Sequence, residues 1–194
     1  MNNFPLFLLK KIFIYIILVM MQYICFEPGQ DRKVAALRDC IYVHHFFWRK
    51  KFMEDELYMN IALQEAAKAY KKEEIPVGAV IVKNGKVISK AYNKKNKSNR
   101  VKDHAEIIAI DKANKKLRNW RLEDCEIYIT LEPCPMCASA IEQARIRRII
   151  TGAVNKNVET SKLSQQILCN KDWKRKVESQ KCSDLLNEFF KNKR

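Results

Sequence analysis

Two short stretches of the chain carry residues that could do chemistry together. One is His104-Ala105-Glu106; the other is Pro133-Cys134-Pro135-Met136-Cys137, which sets two thiols three residues apart. An imidazole and two thiols suit a zinc ion, and three protein ligands leave a fourth position open to water, the pattern of a catalytic rather than a structural site. The other histidines, His44 and His45, lie in the first 52 residues, and Cys125 comes six residues before a strand ends, so neither supplies a fourth ligand without a large detour. Zinc lowers the pKa of bound water from near 16 to about 7, which makes hydroxide available at neutral pH. Glu106 stands two residues from a ligand, a poor place for another ligand and a good one for a proton carrier. A lone Cys-x-x-Cys is common and His-x-Glu alone says nothing; the two together, in this order, define one metal site.

The elements that must position these residues can be read from periodicity. Residues 54–72 repeat apolar side chains at Leu57, Ile61, Ala62, Ala66 and Ala69, the spacing of an amphipathic helix that stops before Ile75-Pro76. Residues 77–82 and 87–92 are β-rich runs joined by Lys83-Asn84-Gly85-Lys86, and Asn-Gly is a strong hairpin signal. A lysine-rich loop follows over 93–102. Residues 104–116 then read as a helix with Ile107, Ile108 and Ala109 on its buried side. Residues 126–131 predict a strand, 135–145 a helix and 148–153 a strand, a β-α-β unit with a parallel pair. His104 thus opens one helix, and Cys134 and Cys137 open another, where helix N-termini favour thiolates. Beyond Val154 the chain is polar and less regular until an apolar face at Leu185, Leu186, Phe189 and Phe190 marks a closing helix.

Length and charge bound the rest. The 194 residues allow one domain with a real core plus an appendage. The net charge of +15 divides into +5 over residues 1–52 and +10 over 53–194, so the body itself is basic and favours a polyanionic partner, nucleic acid or a membrane surface. Seven cysteines at these spacings suggest no disulfide framework. The apolar run over 12–21 is half the length of a spanning helix, and Tyr23-Ile24-Cys25-Phe26 is a poor signal cleavage site. The preferred expectation is that residues 1–52 are a doubtful N-terminal extension outside the fold, and that the working domain is 53–194. Met53-Glu54-Asp55-Glu56 looks like a natural start followed by acidic first-turn residues. Residues 29–36 can also be back-translated into a string resembling the hairpin core of the bacterial signal recognition particle RNA. A membrane tether is expected only if residues 1–52 are translated.

His-x-Glu followed by Pro-Cys-x-x-Cys is the signature of zinc enzymes that hydrolyse the amino group at C4 of cytosine or C6 of adenine. From Met53 onward the chain closely resembles the bacterial tRNA-specific adenosine deaminases of the cytidine deaminase-like superfamily. The resemblance extends to Ile75-Pro76-Val77-Gly78-Ala79-Val80, Asn119-Trp120-Arg121-Leu122, Leu131-Glu132-Pro133-Cys134-Pro135-Met136-Cys137-Ala138 and the closing helix. It implies an α/β fold, a three-layer α/β/α cytidine deaminase-like arrangement with a central mixed sheet. The implied activity is hydrolytic conversion of adenosine to inosine at the wobble position of a tRNA anticodon, by a cytoplasmic homodimer with one Zn2+ per subunit. On this resemblance His104, Cys134 and Cys137 match the zinc ligands, Glu106 the proton shuttle and Asn93 a substrate-contacting asparagine. An anticodon base is unpaired and enters a pocket without melting a helix. Lys94, Lys95, Lys97, Arg100 and Lys102 would neutralise phosphates near the mouth.

Two stretches depart from the family pattern. Asp103 stands where a small residue is usual, and residues 154–161 lack the usual glycines and acidic residue, which leaves tRNA choice less determined than the chemistry. The rival readings are a deaminase of a free base or nucleoside, which has no need of the basic loop, and a non-catalytic zinc module that binds RNA, which has no need of Glu106.

Overall fold

The computed structural model describes the backbone of residues 32–193 and the side chains of residues 51–193. The apolar run over 12–21 and the RNA-like stretch over 29–31 lie outside the described residues. The chain divides into two compact units, Met1–Lys51 and Phe52–Arg194, and the second holds every residue of the proposed site.

Five strands form one mixed sheet in the order β2-β1-β3-β4-β5: β1 Gly78–Lys83, β2 Lys86–Tyr92, β3 Cys125–Leu131, β4 Arg148–Ala153 and β5 Asp172–Lys174. β1 is antiparallel to both β2 and β3, whereas β3, β4 and β5 run parallel. The Asn84-Gly85 turn has positive φ at both residues, +50° and +73°, the mirror-image turn that matches strand twist. The β1–β2 register slips between Ile81 and Val82, leaving Ile88 as the extra residue of a bulge.

Alternation along the strands divides the core. Ala79, Ile81, Ile127, Ile129 and Ile149 face α3, Ala105–Leu117, and α4, Pro135–Gln143, whose Ala105, Ala109, Ala113, Ala138 and Ile141 are buried against them. Val80, Val82, Tyr128 and Ile150 face α1, Arg32–Tyr70, through Tyr58, Met59 and Ala62, and α6, Ser179–Lys191, through Cys182 and Leu186. These are the three layers expected. Gly78 is required by the close approach of α1: a Cβ there would lie 2.0 Å from the Ala62 carbonyl oxygen.

Some expectations need correction. α1 begins at Arg32, so Glu54, Asp55 and Glu56 are interior to the helix and not its first turn. Its buried stripe is Asp55, Tyr58, Met59, Ala62, Ala66 and Ala69, while Leu57 is 56% exposed, because the face is set one residue away from the one Leu57 suggests. In α3 the buried stripe is Ala105, Glu106, Ala109, Ile110 and Ala113; Ile107 and Ile108 are half-buried. The basic loop contains a single turn, α2, Lys95–Ser98, and the stretch past Val154 is ordered as α5, Val158–Ile167, and β5.

Candidate active site

The strand register brings the site together. Gly78 pairs with Tyr92 and Ala79 with Ile129, so the end of β2 and the end of β3 meet at one end of the sheet, tied by the Gly78 amide donating to Thr130 Oγ1 at 3.0 Å. Both α3 and α4 begin there. His104 is the N-cap residue of α3, Cys134 that of α4, and Pro135 occupies the first turn of α4, where its missing N–H costs nothing. Neither N-cap side chain caps its helix. They turn toward each other instead.

His104 Nδ1 lies 3.7 Å from Cys134 Sγ and 3.4 Å from Cys137 Sγ, and all three ligand atoms fall within 4.8 Å of one another. Tetrahedral zinc with bonds of about 2.3 Å to sulfur and 2.0–2.1 Å to nitrogen separates such atoms by about 3.6 Å. The two nitrogen–sulfur separations therefore match those of a zinc site, and the donor set suits that ion. Cys137 is fully buried and the other two are half-buried. A hydrogen bond from Cys137, assisted by His104 and acting against burial, draws the Cys134 thiol down to about 4. Its partner Cys137 is pushed strongly the other way by that same bond and by burial, and His104 is raised chiefly through its bond to Cys134. Glu106 is buried in the first turn of α3, and desolvation raises its carboxyl above its ordinary value. A buried carboxyl with a raised affinity for its proton, beside three candidate metal ligands, is suited to carry a proton.

Asn93 follows β2 directly and is buried. The Lys94 amide donates to the Asp103 carbonyl at 3.0 Å, so Asn93 and His104 flank one hydrogen bond. Asp103 has a structural account: its carboxylate receives both Nε and an Nη of Arg100, at 3.0 and 2.8 Å, and clips the loop shut ahead of His104. Cys125 opens β3 within the core, away from the trio.

Two buried glutamates near the site escape a search for chemical motifs. Glu132, just before Pro133, accepts from the Asn155 amide at 3.1 Å, Ser161 Oγ at 2.8 Å and Arg175 Nε at 2.6 Å, while Ser164 Oγ donates to the Pro133 carbonyl at 2.8 Å. The atypical 154–161 stretch is thereby docked onto the Cys-x-x-Cys turn. Glu74 holds the other side, at the basic loop. The only sequence signal for either was its position beside Pro133 or the Ile75-Pro76 pair. Among the described residues no helix is long and apolar enough to cross a membrane.

Residues 53–153 match the family described as the cytidine and deoxycytidylate deaminase zinc-binding region. A tRNA-specific adenosine deaminase of Bacillus subtilis is 39% identical over 147 residues, covering 73% of this chain and 91% of that protein. One from Aquifex aeolicus is 40% identical over 147 residues, with 73% and 97% covered. A solved structure from studies of A-to-I editing by tRNA:A34 deaminases superimposes with a TM-score of 0.62 at 36% identity, covering 66% of this chain and 97% of that one. By family match, relatives and fold, this chain belongs to the tRNA-specific adenosine deaminases of the cytidine deaminase-like zinc enzymes.

Proposed function

We propose that this enzyme converts adenosine to inosine at the wobble position of a tRNA anticodon, releasing ammonia. The observation that carries the reading is the trio of His104 Nδ1 and two cysteine sulfurs at zinc-ligand separations, with Glu106 buried beside it. His104, Cys134 and Cys137 hold one zinc per subunit, and when bound the metal supplies hydroxide at neutral pH. Glu106 takes up a proton from the attacking water and gives it to N1 of the adenine ring as C6 becomes tetrahedral; it then takes the remaining proton of the C6 hydroxyl and delivers it to the departing amine, so that the C6 carbonyl forms as ammonia leaves. Water and adenosine are consumed; inosine and ammonia leave.

Asn93, at the rim, orients the base. The lysines of the loop, Lys94, Lys95 and Lys97, meet the phosphates of the anticodon stem-loop. The enzyme works as a homodimer in the cytoplasm, and the unit boundary supports residues 53–194 as the catalytic domain. To test the substrate, the full chain is incubated with a tRNA carrying adenosine at the wobble position and with the same tRNA carrying it elsewhere in the loop. Inosine at the wobble position alone is expected. Deamination of free adenosine or cytidine with none in tRNA would overturn the reading.

A further inference from the structure

Glu74 is buried, carries a carboxylate, and has no part in the chemistry so far described. It sits in the connection from α1 to β1, four residues before Gly78, yet both of its oxygens point into the basic loop that follows β2. Oε1 accepts from the Lys97 amide at 2.6 Å; Oε2 accepts from the Asn96 amide at 3.1 Å and lies 3.5 Å from Asn93 Nδ2. α2 has no buried residue of its own and no side-chain cap from Lys94. Nothing apolar holds this turn in place. Its anchors among the described residues are the Glu74 carboxylate, the Lys94–Asp103 backbone bond and the Asp103–Arg100 clip.

We infer that Glu74 is a positioning residue for substrate recognition: its carboxylate fixes Asn93 and the Lys95–Ser98 turn against the mouth, so that the base contact and the phosphate contacts are presented together. The inference rests on the proposed tRNA-editing reading. A charge-assisted bond to two adjacent backbone N–H groups is the strong kind, and removing a buried acceptor leaves both donors unsatisfied. Glutamine cannot substitute. It offers one oxygen to two N–H groups and turns its own amide against the other, a donor–donor clash.

Two accounts of Glu74 predict opposite signs. If the carboxylate mattered only as a charge, its removal would leave the lysine-rich mouth more positive and tighten RNA binding, lowering KM. If it positions the loop, KM must rise.

The test compares the wild-type full chain with Glu74→Gln, Glu74→Ala, Asn93→Ala and the Glu74→Ala/Asn93→Ala pair on a tRNA with a wobble adenosine, with zinc content and Tm recorded for each. The expected result for Glu74→Gln is a rise in KM of about tenfold, the loss of one charged hydrogen bond, with kcat within about threefold and zinc content unchanged. Adding Glu74→Ala to Asn93→Ala should cost less than the product of the single losses, since the two share the Asn93 contact while Glu74 holds the Lys95–Ser98 turn separately. An unchanged or lowered KM in Glu74→Gln, or single losses that multiply in the pair, would overturn the inference. Should Glu74→Ala fail to fold, Glu74→Gln alone and combined with Asn93→Ala carries the same comparison. A wild type that makes no inosine counts against the functional reading and this inference with it; an active wild type with an unaffected Glu74→Gln counts against Glu74 alone.

Discussion

At the end of the sheet where β3 and β4 start, Asp55 is fully buried and every oxygen is engaged: Arg148 at 2.9 and 3.0 Å, Lys174 at 2.7 Å and the Tyr128 hydroxyl at 3.0 Å. Arg148 reaches on to Glu126 at 3.0 Å and Asp172 at 3.3 Å. At the opposite end, where β3 stops, two N-cap side chains leave their helices uncapped and the buried carboxyl of Glu106 is raised by burial, which the charge of His104 only partly offsets. Both ends bury polar groups in one sheet. The first spends them on each other, locking α1 to three strands. The second keeps them in need of a partner, and that need is what a metal and a substrate satisfy. Burial of charge alone therefore does not mark a functional site; the unclosed set does.

The comparison can be broken by removing members from each end. His104→Ala should have the largest effect: zinc content falls from about one equivalent per chain to near none, with editing lost, as measured by metal analysis and inosine assay. Glu106→Gln should retain zinc and Tm while the rate of inosine formation falls about 10³-fold, since a positioned proton carrier contributes roughly 10²–10⁴. A similar Tm loss in both active-end variants would mean that this end, too, is structural.

The opposite end should respond in stability and not in chemistry. Asp55→Ala removes the fully buried partner shared by Arg148 and Lys174 while Glu126 and Asp172 still reach Arg148, and should cost about 1.5–3 kcal/mol in urea unfolding, with the activity of the remaining folded enzyme unchanged. The sign with pH also follows. Burial by itself would raise the Asp55 pKa, but the bonds and charges of Arg148 and Lys174 bring it below its ordinary value. Its contribution is thus present above about pH 4 and is lost as the pH falls through the lowered folded value, a slope that Asp55→Asn should lack. The smallest effect is expected from truncation: residues 53–194 should match the full chain in zinc content and should edit within about twofold, as a self-contained domain does.

The same contrast explains what could be read from the sequence. β1 to β4 show alternation or the Asn-Gly turn, and the His–Cys–Cys trio is announced by residue type and spacing at two helix starts. The charged end was opaque: Asp55 ranks as a surface residue, Leu57 as core, and only partners distant in sequence, Arg148, Lys174 and Tyr128, reverse the ranking for Asp55. α5 buries Ser161 and Ser164 rather than an apolar stripe, and β5 is three residues long with no strand signal. α2 holds its place through Glu74, which no local pattern reveals. Elements anchored by apolar periodicity were legible, and those anchored by a distant polar partner were not.

X-ray absorption at the zinc edge, on the purified full chain, reads the number and kind of ligands that His104, Cys134 and Cys137 leave around the metal. One zinc per chain, with two sulfurs at about 2.3 Å and one nitrogen and one oxygen at about 2.0–2.1 Å, is the predicted shell. A fourth protein sulfur or nitrogen, or a shell without sulfur, would contradict it.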